Sequence, residues 1–174
     1  MAGVDNVLLW LDAEPWRYWT LAGTCFGLTC VLALMPDEPA RVRGAWSRRC
    51  FAVALLVTLA AFRWPGWFEP TAQNPDEAQV VASALTLHGA PVYWKYVDGT
   101  THGPLCELPL VIAGLFGAPY SYITARVVAV LMQGLALWAV WGTLRCFVAE
   151  RAARLGVLPG LAFWSFVTYE DYIH

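Results

Sequence analysis

Two adjacent carboxylates open the chemically richest stretch of the chain, Asn74-Pro-Asp-Glu77, a few residues after a long apolar segment. Asp76 can take a proton from an acceptor hydroxyl or amine, or hold a divalent metal, with Glu77 beside it. The plainer reading is a helix start. Asn74 would be the N-cap, Pro75 would sit at N1, Glu77 at N3 would complete a capping box, and the acidic pair would offset the helix macrodipole. Farther along, Tyr93, Trp94, Lys95, Tyr96, Asp98 and His102 interleave aromatics with one lysine. Such a set can stack on a sugar and pair with a phosphate, and it equally suits interface anchoring. His102 and Glu107 flank Gly103-Pro104, where the chain changes direction; a histidine there is also an ordinary loop residue. Glu170 and Asp171 offer a second acidic site near the far end, or a charged flank that stops a span from sliding inward.

The elements that must position these groups follow from composition. Of 174 residues, 59% are hydrophobic and 14% charged, about half the usual charged share. The mean hydropathy is +0.51. These values exclude disorder and an ordinary soluble domain. A net charge of −2 leaves no basic footprint for nucleic acid, and five cysteines are too few for a disulfide scaffold. The expected class is an all-α integral membrane protein. The N-terminus lacks the positive n-region of a signal peptide, so the first apolar stretch is expected to stay in the chain.

About four transmembrane helices are expected, at 19–35, 50–68, 123–144 and 155–169, because a hydrocarbon core of ~30 Å takes roughly 20 apolar residues. Arg63, near the end of the second, is expected to snorkel beside Trp64 and Trp67. Arg41, Arg43, Arg48 and Arg49 mark a cytoplasmic basic loop at 36–49, and Arg145, Arg151 and Arg154 mark another at 145–154. Both clusters lie inside only if an even number of crossings separates them. Residues 1–18, 69–122 and 170–174 then face outward. In the large outer loop, two juxtamembrane helices are expected at 75–88 and 105–116. The first would end at Gly89. The second, about 18 Å long, would be stopped by Gly117 to Pro119. The rival is a full span reaching Ala125, which would put one arginine cluster outside and would require Pro109, Gly114, Gly117 and Pro119 within one helix. Cys106 would be the one cysteine on the outer side.

The order of Asn74-Pro-Asp-Glu-Ala78, Leu87-His-Gly-Ala-Pro-Val-Tyr93, Asp98, Gly103-Pro-Leu105, Phe116-Gly117 and Ala125-Arg126-Val127 resembles the multi-span C-type (GT-C) glycosyltransferases. These enzymes use polyprenyl-phosphate sugars; protein O-mannosyltransferases and the aminoarabinose transferase of lipid A belong to them. The likeness covers roughly Phe51 to His174. It implies an inverting glycosyltransferase at the outer or lumenal face of the plasma (inner) membrane, with Asp76 and Glu77 catalytic. It also implies a second acidic site at Asp171 or Glu170. The expected substrate-binding residues are Tyr93, Lys95, His102, Glu107 and Arg126. Partners would be a lipid-linked sugar donor and a lipid, glycan or protein acceptor. The charge on the departing phosphate calls for a cation, either from Lys95, Arg63 or Arg126, or as Mg2+ or Mn2+ at Asp76 and Asp171. Members are much longer than this sequence, so the resemblance implies an N-terminal part, or, for a complete chain, a form working with a partner subunit. The alternative function is a non-catalytic integral membrane subunit or scaffold. A transporter fits less well, because ionisable residues within the spans are nearly absent.

Overall fold

The computed structural model describes residues 9–10, 13–36, 41–72, 75–93, 95–97 and 104–167. Among them every regular element is helical: α1 (Pro15–Leu34), α2 (Arg41–Arg63), a 3-10 turn (Trp64–Phe68), α3 (Pro75–Gly89), α4 (Pro104–Leu115), α5 (Tyr122–Leu144), α6 (Glu150–Ala162) and a π turn (Phe163–Val167). Two helical stretches are long and apolar enough to cross a membrane, Ala45–Phe68 and Tyr122–Leu144, by length and composition.

Several boundaries differ from expectation for one reason. A hydropathy window detects apolar composition, whereas a helix continues wherever its i→i−4 hydrogen bonds do. Arginine is a good helix former, so α2 begins at Arg41 and runs through most of the expected basic loop 36–49. Likewise, α6 begins at Glu150 and takes Arg151 and Arg154 out of the expected loop 145–154. The first helix starts at Pro15, not at residue 19, with Pro at N1 and Arg17 paired to Glu14 at 2.6 Å.

The chain divides into two compact units, residues 1–64 with 133–169, and residues 65–132 with 170–174. In the first unit, α1 packs on α2 and α6, and α2 also meets the π turn. Thr29 and Thr58, both fully buried, join α1 to α2 through a 2.9 Å hydrogen bond between their hydroxyls. At one end Tyr18 donates to the Phe62 carbonyl at 2.7 Å. Gly134 lies against Leu56 and Leu59, and the rings of Phe51 and Trp141 meet edge to face at 5.1 Å. These contacts make α2 and the second half of α5 antiparallel. Gly156 against Leu144 and Gly160 against Leu137 set α6 antiparallel to α5 as well. Thus the start of α2, the end of α5 and the start of α6 share one end of this unit, and so do Arg48, Arg49, Arg145 and Arg151.

Two arginines in this unit are buried, against expectation. Arg63 does not snorkel; it is 7% exposed and donates to the Trp164 carbonyl at 2.6 Å. Arg154 is 2% exposed, bonds Glu150 at 3.0 Å and reaches the Leu32 carbonyl at 3.3 Å. Leu32 lies in the last turn of α1, whose carbonyls have no partner within their own helix. A guanidinium supplies the missing donor.

In the second unit, α3 packs along α4 around a core of Ala84, Leu110 and Ala125, flanked by Val81, Val111 and Tyr120. Gly114 makes the close approach of Tyr120 to α4 feasible, since a methyl group there would overlap the tyrosine ring. Helix α4 closes in a Schellman motif: Ala118 N–H bonds the Ala113 carbonyl at 3.1 Å and Gly117 N–H bonds the Gly114 carbonyl at 2.9 Å. Gly117 holds φ at 88° there, the conformation that glycine alone adopts without cost. Gly89, by contrast, is the last helical residue of α3, with Pro91 following.

Candidate functional site

The site is organised by the first turn of α3 and the first turns of α5. Asp76 and Glu77 are consecutive, so a helical rotation of about 100° separates their side chains. Asp76 is exposed and, among the described residues, has no hydrogen-bond or ion-pair partner. Glu77 turns inward and is 1% exposed.

Glu77 meets Arg126 in a bidentate pair. The guanidinium Nε donates to Oε1 at 2.7 Å, and Nη2 donates to Oε2 at 2.8 Å. The remaining donors all serve main-chain carbonyls: Nη1 bonds Gly66 at 2.6 Å and also Glu69, while Nη2 bonds Thr71 at 2.8 Å. All five guanidinium N–H groups are therefore spent. Arg126 is 0% exposed. It pins the segment 66–71 to α3 and α5, so the guanidinium expected to bind substrate phosphate is committed to the protein instead. Its partner Glu77 is committed with it.

The pinned segment has its own brace. Thr71 donates to Glu69 Oε1 from its hydroxyl at 2.5 Å and from its backbone N–H at 3.1 Å. Those two bonds hold the Glu69 carboxyl below the usual glutamate range.

The other expected residues are distributed as follows. Glu107 is 1% exposed in the first turn of α4. Tyr93 is half-buried in the segment between α3 and α4, and Lys95 is exposed with its ammonium 4.7 Å from the centre of the Tyr96 ring. Asn74, Trp94, Asp98, His102, Glu170 and Asp171 lie outside the described residues. Of the set, Glu77 and Arg126 are brought together. Sequence reasoning missed the acceptor carbonyls of Gly66, Glu69 and Thr71, which leave no side-chain signal, and for the same reason it missed the Trp164 carbonyl that receives Arg63 in the first unit.

Among the described residues, no group of three or more His, Cys, Asp or Glu side chains could hold a metal. Asp76 is the one described carboxylate of the expected metal pair; Asp171 lies outside the described residues. No family model, curated protein or solved structure matches the chain.

Proposed function

We propose that the chain carries the acceptor-activating carboxylate of a multi-pass membrane glycosyltransferase that takes its sugar from a polyprenyl phosphate. One observation carries the reading: two consecutive carboxylates are divided in role, Glu77 locked to Arg126 in the interior and Asp76 presented outward. A buried bidentate pair that fixes the first turn of α3 would hold its neighbour in one orientation, as a general base requires.

In this reaction the acceptor oxygen or nitrogen attacks the anomeric carbon and Asp76 takes its proton. The carbon–oxygen bond to phosphate breaks on the opposite face, and polyprenyl phosphate departs with the electron pair, inverting the centre. Lys95, exposed on the same outer segment, is the described cation available to the phosphate.

The membrane part of the reading rests on the first unit and on α5. Leu28 and Val31 on α1, Val53 and Val57 on α2, and Leu131, Leu135 and Trp138 on α5 are all exposed apolar side chains of long helices. In the first unit, Trp16 and Trp19 are exposed at the Phe62 end, which also holds Arg17 and the buried Arg63, while Arg48, Arg49, Arg145 and Arg151 lie at the other end. In this reading the end richer in arginines would face inward, and α1 and α6, beyond the two helices long and apolar enough to cross, would complete four crossings of the inner membrane.

The test uses membranes carrying the full chain, supplied with undecaprenyl phosphate esterified to a radiolabelled mannose or aminoarabinose. Native membranes should move label from the donor lipid to an acceptor, and Asp76→Asn should abolish that transfer while the chain stays inserted. Transfer unchanged in Asp76→Asn would remove Asp76 from the reaction. The same membranes with no transfer from either donor would favour the non-catalytic subunit, which the structural role of Glu77 and Arg126 also suits.

A further inference from the structure

We propose that the arginine-bearing end of the first unit is a docking surface for anionic phospholipid headgroups. The inference rests on the membrane-spanning reading above, but not on sugar transfer.

The antiparallel packing of α2, α5 and α6 gathers Arg48, Arg49, Arg145, Arg151 and Arg154 at one end, with Glu150 the acidic side chain described there. Glu150 is already consumed. It accepts from Arg154 at 3.0 Å and from Arg145 at 2.7 Å, so it neutralises one charge shared between two arginines. Arg48, Arg49 and Arg151 form no ion pair or hydrogen bond among the described residues. Among the described residues of this end, positive charge therefore exceeds negative, the complement of a phosphodiester surface.

Two apolar side chains give the surface its depth. Phe147, in the turn after α5, is 81% exposed, and Trp46, one turn before Cys50 on α2, is 70% exposed. A soluble phosphate ester has no use for bare aromatic side chains beside its arginines, whereas a bilayer does: the rings enter the acyl boundary and the guanidinium groups meet the phosphates above. Both α2 and α5 are long enough to cross, which brings their ends to headgroup level.

The experiment is native mass spectrometry of the full chain released from micelles holding equal amounts of phosphatidylglycerol and phosphatidylcholine. The native chain should retain phosphatidylglycerol, the anionic lipid, in preference. Each arginine near an anionic surface is worth about fivefold in affinity, so the combined variant Arg48→Gln, Arg49→Gln, Arg151→Gln should lose about tenfold or more of that preference. Arg17→Gln, in the same unit but paired with Glu14 at the start of α1, should keep it. Equal retention of both lipids by the native chain, or an unchanged preference in the triple variant, overturns the proposal. So does displacement by millimolar glycerophosphoglycerol, which would mean a pocket for a free phosphate ester. Should the triple variant misfold, the native chain alone decides: its preference must fall as salt rises, and a salt-independent preference overturns the proposal. Extraction by alkaline carbonate separates the two readings. A chain released by carbonate fails the membrane reading itself; a chain retained, with no lipid preference, fails this inference alone.

Discussion

Arg126 grips Glu77 with two parallel hydrogen bonds of 2.7 and 2.8 Å across 49 residues of sequence, and both side chains are shut off from solvent. Breaking such a pair from either side leaves a buried charge without its counterpart, at a cost of about 3–5 kcal/mol. The two sides are unequal, however. Arg126→Met strips donors from the carboxylate and from the Gly66, Glu69 and Thr71 carbonyls together. Glu77→Gln keeps one acceptor and leaves those carbonyls served. Thermal unfolding in detergent should therefore place Arg126→Met well below Glu77→Gln. Equal losses would show that the carbonyl bonds contribute little.

Adjacent positions should give opposite phenotypes. Asp76 is exposed and Glu77 buried, so Asp76→Asn should change stability by no more than about 1 kcal/mol, the scale of a charge at a helix N-terminus. Glu77→Gln should unfold the chain several kcal/mol more easily. Melting curves of both variants check this, and comparable losses would deny the division of roles.

Tyr120 lies against Gly114, and its buried hydroxyl finds no hydrogen-bond partner among the described residues. Tyr120→Phe removes an unsatisfied polar atom and should leave stability unchanged or raise it. Gly114→Ala forces the ring away and should cost about 1–3 kcal/mol. That cost should shrink only in part in the Tyr120→Phe background, because the hydroxyl overlap is gone while the ring carbons still meet the added methyl group. A double-mutant cycle on unfolding midpoints measures the coupling.

Glu69 gives a pH dependence of known sign. Its folded carboxyl titrates below the usual glutamate range because the Thr71 hydroxyl and N–H bond the charged form. The stabilisation is then present above the unfolded value of about 4.3 and is lost as pH falls through the lower folded value. Thr71→Val removes the hydroxyl bond, so the loss of stability between about pH 6 and about pH 3 should be smaller in Thr71→Val than in the native chain. Identical pH profiles would exclude the brace.

Thiol labelling reads both burial and side. Sequence pattern makes Cys106 the outward thiol, but the structure buries it at 6% exposure and exposes Cys146 in the turn after α5. A membrane-impermeant maleimide should leave intact, outward-facing cells unlabelled. It should reach Cys146 once the membrane is permeabilised, and Cys106 only on unfolding.

Most of the second unit's helical outline is legible in the sequence. Pro75 and Pro104 each open a helix, and Gly117 closes one, since proline at N1 and glycine at C′ act through local backbone geometry. What side chains do at a distance is not legible. Arg63, Arg126 and Arg154 all read as surface or ligand-facing cations, yet each is buried against main-chain carbonyls at helix ends or turns. Carbonyls are identical in every residue, so no letter in the sequence marks which of them lacks a partner. The acidic pair is recognisable as a pair; its division into an inner and an outer member depends on where Arg126 arrives, which is tertiary.

The shared arginine end of α2 and α5 has a consequence for biosynthesis. In the proposed topology, both arginine clusters would stay on the side where synthesis occurs, and the segment between α2 and α5 would cross as one passenger. Glu77 then emerges first and must wait for Arg126, 49 residues later, an interval of about 2–10 s at ordinary elongation rates. In that topology the clamp on Glu77 would close late, only after Arg126 has been made.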